Sequence, residues 1–148
     1  MHNFIKINTM YKYKILTISI LLFSSIGLSA KDYKASLFGV KSDGKTLKTG
    51  SIQYAIDYIS QNGGGRLVFC VGRYLTGSFY LRSNVSIQLE EGAVLVAFAS
   101  IYDYLNLNKT NALILADNIE NIGITGKGVI DGNGTAILKS INEQIKKG

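Results

Sequence analysis

The acidic side chains of this sequence are the types needed for acid–base chemistry, and their spacing decides how much of it they can perform. The chain of 148 residues holds ten acidic residues. Hydrolysis that protonates a leaving oxygen and activates water on the opposite side needs two carboxyls held apart at a fixed distance. No two aspartates are adjacent, and the single histidine, His2, lies at the start of the chain. We therefore assign no catalytic residue, and without clustered acids, cysteines or histidines we assign no metal site.

Three side chains remain as weak substrate-binding candidates, and each has a structural alternative. Asp131 is followed by Gly132, and Asp-Gly favours a tight bend, so we interpret Asp131 as a turn residue rather than a cleft residue. Tyr102 and Tyr104 lie in the polar stretch 100–110, which is typical of a long surface loop. Exposed tyrosines there can stack on sugars, but half-buried tyrosines are the commoner outcome.

Two further groups that could carry chemistry are better explained as structure. Glu90 and Glu91 are adjacent, and neighbouring residues of a strand face opposite ways, so they indicate a solvated turn rather than a carboxylate pair. Cys70 is the only cysteine, so no internal disulfide can form. It ends an apolar run without a histidine to activate it, which predicts a buried structural thiol.

The first 30 residues have the composition of a secretory signal. Lys6, Lys12 and Lys14 precede a 14-residue apolar run, Ile15 to Leu28, and Ala30 offers a small residue for cleavage. The run is shorter than the ~20 residues that a membrane-spanning helix needs. We expect an exported protein, periplasmic or extracellular, with no membrane contact after cleavage and one domain over residues 31–148. Met10 is an alternative start.

Removal of the signal changes the charge of the chain. The full sequence has a formal charge of +6, and residues 1–30 hold three lysines and no acidic residue, so residues 31–148 carry +3. No cluster of basic residues with interleaved aromatics remains in this part, so nucleic acid is not an expected partner.

The elements of residues 31–148 are predicted from hydrophobic periodicity. Ile52, Ala55, Ile56 and Ile59 recur at helical spacing, which predicts a helix over 49–62 with Thr49 as its N-cap and Gly63 as its stop. Short apolar runs broken by glycine and asparagine follow, and these indicate strands with tight turns. Residues 135–148 have isoleucines four apart and predict a short amphipathic helix.

A repeated unit links two of these strand regions. Asn84-Val85-Ser86-Ile87 precedes Gly92-Ala93-Val94-Leu95, and Asn121-Ile122-Gly123-Ile124 precedes Gly128-Val129-Ile130. We align Asn84 with Asn121 and Val94 with Ile130, at offsets of 37 and 36 residues. A strand-and-turn unit repeated at such spacing indicates a solenoid, whose coils bury their inner faces against their neighbours.

Six blocks in order carry a resemblance to a known family. The blocks are Phe38-Gly39-Val40-Lys41-Ser42-Asp43-Gly44, Ile52-Gln53-Tyr54-Ala55-Ile56-Asp57, Gly63-Gly64-Gly65-Arg66-Leu67-Val68, Gly72-Arg73-Tyr74-Leu75-Thr76-Gly77-Ser78, Leu81-Arg82-Ser83-Asn84-Val85 with Leu89-Glu90-Glu91-Gly92-Ala93, and Ile130-Asp131-Gly132-Asn133-Gly134. Over roughly residues 37–134 the sequence resembles the N-terminal portion of glycoside hydrolase family 28, the polygalacturonases and their relatives.

This resemblance implies an all-β fold, a right-handed single-stranded parallel β-helix with an N-terminal capping helix, and hydrolysis of pectic polysaccharide without a cofactor. The family's catalytic signatures are an Asn-Thr-Asp triplet, an Asp-Asp pair, a Gly-His-Gly and an Arg-Ile-Lys, and the sequence has none of them. We therefore expect a truncated chain with the N-terminal coils and without the catalytic coils.

Two other functions stay open at this point. A pectate-lyase-type or tailspike-like β-helix shares the Phe-Gly opening, although a lyase usually needs calcium held by clustered acids. A non-catalytic carbohydrate-binding solenoid would be favoured by exposed aromatics on one face.

Overall fold

The computed structural model describes residues 30–100, 106–107 and 110–146, so the predicted signal segment lies almost wholly outside the described residues. Two helices and eleven strands occur in the described part. Helix α1 is Thr49–Gln61 and helix α2 is Gly134–Ile145. The strands are β1 Asp32–Lys34, β2 Gly65–Phe69, β3 Gly72–Thr76, β4 Phe79–Tyr80, β5 Val85–Leu89, β6 Ala93–Ala97, β7 Asn106–Leu107, β8 Thr110–Asn111, β9 Ile114–Leu115, β10 Gly123–Gly126 and β11 Val129–Asp131. A 3-10 turn, Ala35–Phe38, joins β1 to the segment before α1.

The strands stack as parallel coils. The first coil consists of β2, β3 and β4, the second of β5, β6 and β9, and the third of β10 and β11. Three parallel sheets result, in the orders β1-β2-β5-β10, β3-β6-β11 and β4-β9. Strands β7 and β8 form a separate antiparallel pair. The prediction of a right-handed single-stranded parallel β-helix with an N-terminal helix is confirmed.

The spacing between the first and second coils is shorter than the repeat found in the sequence. Gly65 pairs with Val85 and Gly72 with Ala93, so the first two coils are 20 and 21 residues apart. Gly123 pairs with Ser86, an offset of 37 residues, mainly because residues 98–113 connect β6 to β9. In the first coil the corresponding connection, between β3 and β4, is only residues 77–78.

One predicted alignment is wrong by one residue. Asn84 and Asn121 do share the offset of 37, but Ile130 pairs with Leu95, and Val94 pairs with Val129. The turn between β10 and β11 is shorter than that between β5 and β6, which moves the register. Because side chains alternate along a strand, the one-residue difference between the predicted and observed alignments changes the face assigned to Ile130. Ile130 continues the column of the buried Leu95 rather than an outer column.

Helix α1 packs against the first coil and buries one apolar face. Its periodic residues Ile52, Ala55, Ile56 and Ile59 are fully buried. The predicted cap is wrong, because the helix begins at Thr49 and Lys48 occupies the N-cap position without a side-chain hydrogen bond. The Thr49 hydroxyl instead accepts a hydrogen bond from the Gly77 N–H at 2.7 Å. The predicted stop is confirmed, since the helix ends at Gln61 and Gly63 has a φ of +90°.

All three strand edges of the first coil are covered. Strand β1 pairs with β2. The backbone of residues 42–48 pairs with β3, with Gly44 N–H donating to Arg73 C=O at 2.8 Å. The side-chain amide of Gln53 satisfies β4, because it donates to Tyr80 C=O at 3.1 Å and accepts from Tyr80 N–H at 2.8 Å. We call β1, residues 42–48 and α1 the N-terminal cover.

The third coil lies at the end of the solenoid opposite the N-terminal cover. Strands β10 and β11 are the terminal strands of their sheets. Ile124 is 44% exposed and Ile130 is 42% exposed, although the residues before them in their columns, Ile87 and Leu95, are fully buried. The predicted amphipathic helix exists as α2, but it has no buried residue, and Leu138 and Ile145 are exposed. The apolar residues of the third coil therefore stay partly exposed in the described part of the chain.

Candidate functional site

Asp131 is the one predicted site residue that the structure describes, and it ends strand β11. Its Oδ1 accepts a hydrogen bond from the Asn133 N–H at 2.9 Å, which is a local turn bond of the predicted type. Its Oδ2 lies 3.7 Å from Nη2 of Arg73. Both side chains are about half exposed, so this ion pair contributes little to stability. Asp131 can orient the turn and carry a negative charge beside Arg73.

The Asn133 side chain connects this turn to the second coil. Asn133 has a φ of +48°, a left-handed conformation that asparagine tolerates better than most residues. Its Nδ2 donates to the backbone carbonyl of Ala97 at 3.0 Å. The Asp-Gly-Asn segment is thus tied to the end of β6, and its carboxylate is held by structural contacts.

Asp43 is another acidic residue in a specific environment. Its Oδ2 accepts from the Thr46 hydroxyl at 2.6 Å, and its Oδ1 accepts from the backbone N–H groups of Thr46 and Lys45. The Thr46 hydroxyl bond, followed by these backbone bonds, lowers the pKa of the Asp43 carboxyl well below its usual range. Asp43 therefore stays ionised and cannot donate a proton to a leaving group at neutral pH.

Other acidic groups of the described residues form ion pairs on the surface. Asp32 pairs with Arg66 at 2.6 Å, and Asp57 pairs with Arg82 at 2.7 Å. Within the described ranges, no group of three or more His, Cys, Asp or Glu side chains could hold a metal ion. These acids brace strands and the helix against each other, and the described part of the chain offers no assembled acid–base pair.

Cys70 is half-buried rather than buried, which corrects the sequence prediction. It follows β2 at the first corner of the coil, where solvent reaches part of the side chain. Desolvation, and then the neighbouring Glu90, raises the pKa of the Cys70 thiol. A raised pKa keeps sulfur protonated, so Cys70 has the character of a structural thiol.

Tyr102 and Tyr104 lie outside the described residues, so the structure does not bring them together with Asp131. The Arg73–Asp131 pair was not predicted from the sequence. Its only signal is the strand register, which places both residues in the sheet β3-β6-β11, with Val96 of β6 between Leu75 and Asp131 in one row.

Comparison with known proteins agrees with the fold. No protein-family model matches the chain. The chain is 34% identical over 114 residues to exo-poly-alpha-D-galacturonosidase from Dickeya chrysanthemi. It superimposes on the family 28 exopolygalacturonase of Yersinia enterocolitica with a TM-score of 0.62 and 33% identity over 71% of this chain. The chain is related to the family 28 polygalacturonases.

A further structural relative has higher identity to this polygalacturonase-like chain. A candidate glycosyl hydrolase from Parabacteroides merdae is 60% identical, with a TM-score of 0.74 over 80% of this chain. The chain spans 51% of that structure, 21% of the Yersinia enzyme and 19% of the Dickeya enzyme. This partial coverage fits the predicted match to the N-terminal portion of the family. Among the described helices, neither is long and apolar enough to cross a membrane.

Proposed function

We propose that residues 31–148 form the N-terminal coils of an exported glycoside hydrolase that acts on pectic polysaccharide. The observation that carries this proposal is the set of three in-register parallel coils behind an N-terminal cover, in a chain 34% identical to an exo-poly-alpha-D-galacturonosidase. Export rests on the lysine-rich start and the apolar run Ile15 to Leu28.

The role of this part is to build and align the scaffold. Glycoside hydrolysis by inversion uses one carboxylic acid to protonate the leaving oxygen and a second carboxylate, ~6.5–9.5 Å away, to activate water. Asp43 and Asp131 instead hold turns, and Asp57 forms an ion pair. We therefore propose that the catalytic carboxylates are not among residues 31–148, and that this chain alone does not hydrolyse pectate.

Release of reducing ends from polygalacturonate tests this proposal. We expect the purified chain to release no more reducing ends than a protein-free blank. The matched variants are Asp131→Asn and Asp117→Asn, because both remove one exposed carboxylate from the part after the second coil. Turnover that is abolished by Asp131→Asn and retained by Asp117→Asn would contradict the proposal and make Asp131 catalytic.

A further inference from the structure

An open groove of about 490 Å³ lies at the corner where the chain enters the solenoid. Its walls include Lys31 before β1, Asn62 and the glycines 63–65 after α1, and Asn84, Ser86 and Asn121 at the starts of the second and third coils. It lies at the opposite end of sheet β1-β2-β5-β10 from the turns that follow these strands, so it is separate from Asp131. The mechanism proposed above makes no use of it.

The asparagines form one wall of the groove as a ladder. Asn84 and Asn121 have φ angles of +64° and +54°, and Asn121 Nδ2 donates to Asn84 Oδ1 at 2.9 Å. Gly64 occupies the same place in the first coil, where a side chain would collide with the Asn84 backbone. The ladder leaves Asn84 Nδ2 as a donor and Asn121 Oδ1 as an acceptor without another partner in the described part of the chain. The wall can therefore both donate and accept hydrogen bonds.

Charge selects the class of ligand. Among the described residues that line the groove, Lys31 is the one that carries a charge, and none is a carboxylate. The Lys31 backbone is fixed, because its carbonyl accepts from Arg66 N–H at 2.8 Å. Its ammonium lies 4.9 Å from the centre of the Tyr33 ring, so one side of the cation rests on an aromatic face. The neighbouring acid, Asp32, is paired with Arg66 at 2.6 Å and does not neutralise Lys31.

We propose that this groove binds one acidic sugar unit of an oligosaccharide, with its carboxylate on Lys31 and its hydroxyls on the Asn84–Asn121 ladder. A sugar hydroxyl both donates and accepts, which matches the free amide groups, whereas a phosphate at neutral pH mainly accepts. The choice of a uronate rests on the proposed function. The groove is thus a substrate-holding site at the corner where β2, β5 and β10 begin, and it holds the polysaccharide along the starts of the three coils.

Calorimetric titration of the purified full chain, in which Ala30 precedes Lys31, with trigalacturonate tests the site. Lys31→Gln is expected to weaken binding about tenfold, the loss of one hydrogen bond to a charged group. Lys34→Gln removes the same charge three residues along the chain, outside the groove, and is expected to bind like the parent protein. Asn84→Asp keeps the acceptor for Asn121 and the left-handed backbone but adds a negative charge, and is expected to abolish measurable binding.

Four results would overturn the proposal: no heat of binding with trigalacturonate, equal binding of its neutral methyl ester, equal binding of inorganic phosphate, or equal weakening by Lys31→Gln and Lys34→Gln. Thermal melting of each variant, expected to match the parent protein, shows that a loss of binding is not a loss of fold. The reducing-end assay is independent of these titrations. Failure of the groove therefore differs from failure of the proposed function, because turnover can appear or be absent whatever the Lys31 variant does.

Discussion

The first and third coils have similar inward residues and very different surroundings. Leu67 in β2 is fully buried beneath the N-terminal cover, whereas Ile124, two coils away in the same column, is 44% exposed. The edges of the first coil are satisfied by β1, by residues 42–48 and by Gln53. Strands β10 and β11 end their sheets. In a solenoid, then, an inward-facing residue becomes fully buried only when another coil or a capping element stacks on its own coil.

Alanine substitution in this shared column should give the largest difference between the two coils. We expect Leu67→Ala to lower the free energy of unfolding by about 2–5 kcal/mol, because it leaves a cavity in a fully packed layer. Ile124→Ala should cost less than about 1 kcal/mol, because much of that side chain already contacts water. Urea unfolding followed by circular dichroism measures both values. Equal losses would mean that the third coil is covered in solution.

A pair of glycine substitutions sharpens the comparison through the backbone. Gly65 has a φ of +150°, and a Cβ there would collide with the Lys31 carbonyl, so Gly65→Ala should destabilise the covered end by about 1–3 kcal/mol. Gly134, in the first turn of α2, has open space around its Cα. Gly134→Ala should therefore be stabilising by up to about 1 kcal/mol. The same unfolding assay applies, and a stabilising Gly65→Ala would show that the close approach of β1 to β2 is absent in solution.

The smallest expected effect concerns the pH dependence of the cover. Hydrogen bonds from Thr46 and Lys45 hold the pKa of the Asp43 carboxyl below its ordinary value of 3.8. A depressed folded-state pKa means that the carboxylate stabilises the fold above about pH 3.8, and that this contribution is lost as the pH falls further. The difference in urea midpoint between the parent protein and Asp43→Asn should thus be constant from pH 7 to pH 5 and shrink towards pH 2.

Asp117→Asn is the control for that series, because Asp117 lies outside the N-terminal cover and its described bond is to the neighbouring Asn118. We expect no comparable pH-dependent difference for it. A difference between the parent protein and Asp43→Asn that disappears between pH 7 and pH 5 would contradict the assignment to this carboxyl.

The sequence predicted the architecture because the fold depends on local signals that repeat. The helical spacing of Ile52, Ala55, Ile56 and Ile59 indicated the face that α1 buries, and the asparagine corners Asn84 and Asn121 aligned two coils correctly. The degree of burial in the third coil could not be predicted from the sequence. The exposure of Ile130 depends on what stacks on it, and the apolar pattern of β11 contains no information about that neighbour.

The error in register has a specific cause. Val94-Leu95 and Val129-Ile130 are both pairs of apolar residues, so composition cannot distinguish the two alignments. The register depends on the turn before β11, where Gly128 allows a close approach that a Cβ, 2.6 Å from the Ala93 carbonyl, would prevent. The contact of Arg73 with Asp131 could not be predicted from the sequence for the same reason, because it requires the correct register of three strands.

The inserted residues 98–113 also bear on how such a chain can change over evolutionary time. At this corner the second coil has residues 98–113, whereas the first coil has only residues 77–78. Phe79 and Ile114 still pair, and Phe79 N–H donates to Leu113 C=O at 3.1 Å. The stacking phase is therefore recovered after the detour. Insertions and deletions at this corner can accumulate, or be grafted by design, without shifting the coils on either side, so the fold can diversify its surface while its interior keeps one geometry.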